Sequence, residues 1–335
     1  MNSKERLDAY LAKKAVDRRP NLTIVGSVVT QYSGIDITEY CKNPIEMAKS
    51  AIIAAHDLQL DYVQIASDLV REAEGYGSEI LFTPDRLPTL KKPALEDILD
   101  VSKLEVKRTK DVRRMYDLVE AASYAVRNEG DIYAMTLAVG PMTIAGNIRG
   151  VEDLMVDCYD EPEAVDELLD KVTETQLDLI KELAAVGVKY IYVADPVASL
   201  MSPKFYKDSI MKQHIKIYTQ MKSLGITGRL HMCGNTTDLL PMTTTVGAAV
   251  VDIDHEVNFR RAVEIAGDNC VVNGNIDPVA DVFSCTAEHT ENAIIKTAES
   301  VENRRAMFMP GCELPTTTAR ENIPAIHKAL VKIGG

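Results

Sequence analysis

The chain has 335 residues, 46% hydrophobic and 26% charged, with six cysteines and no tryptophan; a globular chain of this length buries a sufficient core without a disulfide framework. Lysine and arginine number 37 against 50 acidic residues, a formal net charge of −13, so the basic footprint that a phosphate backbone demands is missing and no nucleic acid partner is expected. No apolar run approaches the roughly 20 residues of a membrane span, and charged residues from Lys4 onwards stand where a secretory leader would be apolar; the expectation is a cytoplasmic protein with no membrane contact.

Taken in chain order, short apolar or β-branched runs alternate with stretches of 3.6-residue period. After an N-terminal helical extension, a first strand is expected at residues 22–27, then a helix at 44–58 opened by the capping pair Asn43-Pro44. A second strand at 62–66 is followed by residues 82–107, where Pro84, Pro88 and Pro93 and a lack of periodicity read as an insertion or lid. A helix at 110–127 leads to a strand at 132–139, and a helix at 163–186 to a strand at 190–194. Ser202-Pro203 opens a helix that runs to 223, and strands follow at 229–232, 249–253 and 270–273. A helix at 288–300 and a last strand at 306–309 complete the pattern. Eight strands with intervening helices predict an α/β protein, a (β/α)8 TIM barrel that spans 1–335 as a single domain with an insertion near 82–107. The competing doubly wound sheet would carry Gly-x-Gly-x-x-Gly after a strand, and no strand has it.

Barrels of this kind build their sites at the C-terminal ends of the strands, and those positions are polar here. His231 and Cys233 are two apart, which on an extended segment puts both side chains on one face. Cys312 follows the last strand. One imidazole and two thiolates suit Zn2+, and three protein ligands leave a fourth position open, a catalytic rather than a structural arrangement. Alone, a His-x-Cys pair is more often core packing. The metal reading gains weight because all three residues sit at predicted strand ends in Gly/Pro-marked turns, whereas Cys41, Cys158, Cys270 and Cys285 form no comparable set and are read as structural. Asp68, Asp195 and Asp254 are single carboxylates at strand ends, suited to supporting a metal, anchoring substrate or capping a helix. Asn235, His255, Asn275 and Glu313 complete the polar rim.

At these residues the chain resembles the uroporphyrinogen decarboxylase superfamily along nearly its whole length. Ser67-Asp68-Leu69-Val70 followed by Glu79 is similar to the segment that holds the decarboxylase's catalytic aspartate, and Gly274-Asn275-Ile276-Asp277-Pro278 matches a motif shared across the superfamily. The decarboxylase's Arg-rich segment with Gly-Arg-Tyr is replaced by Val25-Gly26-Ser27-Val28-Val29-Thr30-Gln31-Tyr32, and its C-terminal Gly-His-Gly by Gly311-Cys312-Glu313. The chain looks much more like the zinc-dependent corrinoid methyltransferase branch, which includes methylcobamide:coenzyme M methyltransferases and the methyltransferase components of O-demethylases. The hallmark His-x-Cys with a distant Cys is carried by His231, Cys233 and Cys312, with Asp195-Pro196-Val197-Ala198-Ser199 and Glu321-Asn322 as further matches.

The resemblance implies a TIM barrel, zinc, a small methylated substrate and a corrinoid presented by a partner protein. It implies metal ligands at His231, Cys233 and Cys312, catalytic roles for Asp68, Asp254 and Glu313, and substrate contacts from Asp195, Asn235, His255 and Asn275. Two thiolate ligands cancel the charge of Zn2+ and favour a nucleophilic bound thiol. Against that, Cys312-Glu313 and the Asn273-Gly274-Asn275 turn look more like the demethylase components, with Glu313 or Asp254 placed to protonate or orient a phenolate. The expectation leans to O-demethylation of a methoxylated aromatic. A methyl-corrinoid to thiol (coenzyme M-like) transferase, a decarboxylase using Asp68, and a zinc-bearing scaffold closed by His255 are the alternatives. Oligomeric state is left open.

Overall fold

In the computed structural model, which describes residues 1–302 and 304–335, the apolar runs become the strands of one parallel sheet, buried along almost their whole length, while a separate hairpin is mostly exposed or half-buried. The strands are β1 (Tyr62–Ile65), β2 (Glu79–Thr83), β3 (Arg86–Lys92), β4 (Tyr133–Val139), β5 (Tyr190–Ala194), β6 (Thr227–His231), β7 (Val250–Asp252), β8 (Val271–Ile276) and β9 (Ala306–Pro310). Seven of them form one parallel sheet in the order β1-β4-β5-β6-β7-β8-β9, and β2 pairs only with β3. Helices cover the sheet between successive strands, which is why its strands read as near-continuous hydrophobic runs rather than as an alternation.

The first of the eight expected strands, at 22–27, does not join the ladder among the described residues, so the paired sheet has seven strands rather than eight. The segment is buried as its composition predicts, but side chains take the hydrogen bonds that a neighbouring strand would have taken. Gln64 Oε1 accepts from Val25 N–H (2.9 Å) and Gly26 N–H (3.2 Å), while Tyr62 donates its hydroxyl to the Thr23 carbonyl (2.9 Å). At Gly26, with φ 44°, the chain leaves the extended course and enters a 3-10 turn over Gly26–Val29. The segment nevertheless lies between the two edge strands: Asp61, just before β1, donates to Asn21 (3.0 Å), and Leu314, just after β9, donates to Ile24 (3.2 Å). The sheet therefore curls far enough for both of its edges to reach one stretch of chain.

The proline-marked stretch 82–107 is more ordered than its sequence indicates. It holds most of the β2–β3 hairpin, which turns at Pro84-Asp85, and a 3-10 helix over Ile98–Lys103. Pro84 accepts from Ile37 N–H (3.0 Å), and Lys171 donates to the carbonyls of Val101 and Leu104 (both 2.8 Å). The helices begin where capping chemistry places them: Asn43 Oδ1 accepts from Ile45 and Glu46 at the head of Pro44–Asp57, and Ser202 accepts from Phe205. The predicted 203–223 helix contains a π-helical turn over Tyr206–Ile210. At the other end of the sheet, the helix Ser3–Leu11 lies beneath the strand starts. Asp8 accepts from Tyr133 (2.9 Å) and Tyr190 (2.6 Å), and Tyr10 donates to Ala306 (2.6 Å). Among the described residues no helix is long and apolar enough to cross a membrane.

Candidate metal centre

The register of the sheet builds the site. His231 pairs with Asp252, and Asp252 with Asn273, so three polar side chains fall in one row across β6, β7 and β8. Asp252, fully buried, takes His231 Nδ1 on Oδ2 (3.0 Å), Asn273 Nδ2 on Oδ1 (2.8 Å) and Arg229 Nε on both oxygens (2.9 and 2.8 Å). A carboxylate against Nδ1 keeps the proton there and turns Nε2 outwards as the donor atom. His231 Nε2 lies 3.1 Å from Cys233 Sγ and 3.7 Å from Cys312 Sγ, and the two sulfurs are 2.8 Å apart. These three are the one group of metal-ligand type found among the described residues, with all donor atoms within 4.8 Å of one another. An imidazole nitrogen with its back hydrogen-bonded to a carboxylate, and two sulfurs, fits a borderline-soft divalent ion such as Zn2+.

The electrostatics agree with a cation-binding site. The contact between the two sulfurs lowers the Cys312 thiol and raises the Cys233 thiol, so the pair favours one thiolate beside one thiol. Burial opposes a charge on His231, yet Asp252 and Cys312 hold its pKa up to about 10. A divalent ion would displace these protons.

A cavity of about 110 Å3 opens beside the cluster, walled by Ile24, Leu69, Leu87 and Leu137 together with His231, Cys233, Cys312, Asp68 and Glu313. No lysine or arginine lines it. Asp68 is buried and already partnered: Arg114 pairs with one oxygen, and Val70 N–H donates to the other (3.0 Å). Glu313 accepts from Ser27 N–H (3.0 Å) and hydroxyl (3.2 Å), and burial pushes its carboxyl above the usual range. Gly26 makes room for it, because a Cβ there would overlap the Glu313 carboxylate.

The other expected site residues do not line this cavity. Asp195 is fully buried and caps the neighbouring helix Pro141–Arg149, accepting from Thr143 N–H and hydroxyl (both 2.7 Å) and lying 3.0 Å from His214 Nε2. Asp254 ties down the turn after Cys233, accepting from Gly234 N–H (2.7 Å) and His255 N–H (2.8 Å). Burial alone would raise its carboxyl, but these donors hold it below the usual carboxylate range. His255 has Nδ1 on Asp254 (2.9 Å) and lines a separate cleft with Asp277 and His289. Asn275 donates to the Val257 carbonyl (2.6 Å), and Asn235 is exposed, accepting from Thr237 N–H (3.2 Å). Sequence reasoning missed Asp252, Arg114 and Gln64, which donates to Tyr192 in the cavity wall (2.8 Å). A polar Gln in an apolar strand and the inward pair Arg229/His231 were the available signals.

A curled parallel α/β sheet with a His/Cys/Cys donor set at its C-terminal mouth defines a class of protein: an enzyme built on barrel-like βα units, with a side-chain cluster that could hold a metal ion. The chain belongs to the uroporphyrinogen decarboxylase (URO-D) family, whose model matches residues 2–333. It is 27% identical over 327 residues to the methylcobamide:CoM methyltransferase MtbA of Methanosarcina mazei, covering 96% of this chain and 95% of that one. It is 24% identical to the methylcobamide:CoM methyltransferase MtaA of Methanosarcina barkeri, covering 97% and 96%. A uroporphyrinogen decarboxylase of Carboxydothermus hydrogenoformans is 26% identical but matches 72% of this chain. Among solved structures, a methyltransferase from Methanosarcina mazei superposes with a TM-score of 0.90 at 22% identity, covering 99% of both chains, and so has the same fold.

Proposed function

We propose that the protein is a cytoplasmic corrinoid-dependent methyltransferase working as one barrel domain over 1–335. It holds zinc through His231 Nε2, Cys233 Sγ and Cys312 Sγ, and it moves a methyl group between a small methylated substrate and a corrinoid carried by a partner protein. The observation that carries this reading is the convergence of the three donor atoms on the wall of a closed-in, largely apolar cavity. The two methylcobamide:CoM methyltransferases matched along nearly their whole length support it.

Bound zinc supplies a Lewis acid that polarises the substrate's oxygen or sulfur. The chain's own residues do the rest. Asp252 keeps Nε2 of His231 aimed at the ion, and Ile24, Leu69, Leu87 and Leu137 hold the substrate body and exclude water. Glu313 faces the same cavity and is the group placed to hand a proton to a leaving phenolate. Asp68, neutralised by Arg114, shapes the wall and lacks the free carboxylate that the decarboxylase alternative calls for. Asp254, Asn235, Asn275 and His255 support the loops around the mouth, and Asp195 the strand end. His255, engaged by Asp254 and lining another cleft, gives the closed-scaffold alternative little support.

The substrate lean follows from charge. A coenzyme M-like anionic thiol would meet Glu313 and no lysine or arginine in the cavity wall, so a negative charge distant from the donor atoms would lack a basic partner and carry a desolvation cost. A neutral methoxylated aromatic meets no such cost, so O-demethylation is the better fit. A neutral thiol acceptor is the second reading, favoured by the two sulfur ligands.

The experiment is zinc analysis of the parent and Cys312→Ala, followed by cobalt-band spectroscopy with cob(I)alamin and methoxylated phenols, and with methylcobalamin and thiols. Stoichiometric zinc lost in the variant, with methylcobalamin formed from aryl ethers by the parent alone, is expected. Turnover with thiols alone would move the assignment to the acceptor reading, and an absence of zinc from the parent would overturn the metal site.

A further inference from the structure

Every residue that lines the cavity belongs to the extended segment near Ile24, to a parallel strand, or to the turn that directly follows one, with a single exception. The exception is Leu87, which reaches the cavity from β3, in the hairpin outside the sheet. Much of that hairpin faces water, with Leu81 48% exposed and Arg86 and Lys91 exposed, whereas Pro88 is buried and Phe82 half-buried. Leu87 is half-buried and packs against the main hydrophobic core while lining the cavity, so it is the hairpin's contribution to the cavity wall.

The hairpin is also linked to another residue of the cavity wall. Phe82 of β2 lies between Lys42 Nζ, 3.9 Å from the ring centroid, and the Arg114 guanidinium, 5.0 Å from it. Arg114 in turn pairs with Asp68, which is itself part of the cavity wall. The ladder between β2 and β3 shifts register between Glu79 and Ile80 and again between Leu81 and Thr83, the kind of irregularity that re-aims a strand's side chains. One chain of contacts, Phe82 to Arg114 to Asp68, thus ties the hairpin that carries Leu87 to the cavity wall.

We propose that Leu87 determines specificity, setting the size of the non-reacting part of the substrate that the cavity accepts. The proposal rests on the methyl-transfer reading of the site and deepens it: Leu87 is neither a metal ligand nor a proton carrier, but a piece of the cavity wall carried on an element outside the main sheet. One or more methylenes in an apolar pocket change selectivity by roughly 10- to 200-fold. Leu87→Ala is therefore expected to shift the kcat/KM ratio of bulky over small aryl methyl ethers upward by about that much, mainly through KM. Leu87→Phe is expected to shift it the other way.

The experiment compares the parent, Leu87→Ala, Leu87→Phe and Leu81→Ala, the last removing an exposed leucine from the same hairpin. The readouts are zinc content, kinetics on a graded series of aryl methyl ethers with cob(I)alamin, and calorimetric binding of the corresponding phenols to the zinc-loaded proteins. Opposite shifts for the two Leu87 variants, with unchanged zinc and a parent-like Leu81→Ala, are expected. An unchanged size ranking in both Leu87 variants, or the same shift in Leu81→Ala, would overturn the proposal. If the parent transfers no methyl group at all, the methyl-transfer reading has failed. The phenol-binding series then decides the size filter by itself: opposite affinity shifts uphold it and parallel ones overturn it.

Discussion

The Asp252 carboxylate accepts from Arg229, Asn273 and His231 at once, so the tautomer of His231 and the direction of its Nε2 depend on one buried side chain. Asp252→Asn keeps the shape but replaces an acceptor by a donor on one side. Zinc affinity is expected to fall by about 10- to 100-fold, read by chelator competition. Asp252→Ala also strands the buried Arg229 charge, and its unfolding free energy is expected to drop by about 3–5 kcal/mol in denaturant titration. An Asn variant with parent affinity would remove the orienting role. The three residues of the cluster were legible because each carries a local mark: a two-residue alternation for His231 and Cys233, a Pro-Gly turn before Cys312. Asp252 was not, because Asp252 and Asp254 have the same parity and only the end of β7 decides between them. β7 stops at Asp252, and Asp254 turns onto Gly234. The Glu313–Ser27 contact spans 286 positions and leaves no local trace at either residue.

At the scale of elements, what was legible was whatever the hydrophobic core pays attention to. The runs that became β1 and β4 to β9 are buried on both faces, and their composition shows it. The β2–β3 hairpin has one fully buried position across its two strands, so its burial rhythm is too weak to be read from composition, and its prolines suggest a loop. Residues 22–27 fail in the opposite way: their composition is that of a strand, but the Gln64 side chain takes the amides that a ladder would have used. The hairpin's attachment is testable through Phe82. Each cation–π contact contributes about 0.5–1 kcal/mol at an exposed site, so Phe82→Ala is expected to loosen the hairpin locally and leave the sheet intact. Limited proteolysis should cut near the Pro84-Asp85 turn several-fold faster, with little change in the thermal midpoint of the whole chain. A large fall in that midpoint would mean that the hairpin is part of the cooperative core.

Across the whole molecule, chemistry and fastening sit at opposite ends of the sheet. The donor atoms lie at the C-terminal ends of β6 and β9, whereas the segment before β1 is tied down at the N-terminal ends by Arg6 and Arg18 on Asp61 (2.7 and 2.6 Å) and by Arg6 on Asp17 (2.7 Å). The hydrogen bond from Arg6 is the main reason that the Asp17 carboxyl lies far below its ordinary value. A carboxylate whose pKa is depressed on folding stabilises the fold above its unfolded value of about 4, and that stabilisation is lost as the pH falls towards the folded value. Asp17 is 43% exposed, so the pair is partly screened and is worth at most about 1 kcal/mol. Asp17→Asn is therefore expected to be less stable than the parent at neutral pH by about that much, and the gap should close as the pH is lowered from about 5 towards about 2. Urea unfolding of both proteins across that range checks the sign. The general loss of stability in acid cancels in the comparison, because the two chains share every other carboxylate. A gap that survives at low pH would mean that Asp17 acts through packing rather than charge. Zinc content and methyl transfer should be the same in both proteins at neutral pH, since in barrels of βα units the face beneath the strands carries stability and the opposite face carries the chemistry. A variant that lost zinc along with stability would show that the N-terminal helix and the metal cluster are coupled through the strands, and the separation of the two ends would have to be given up.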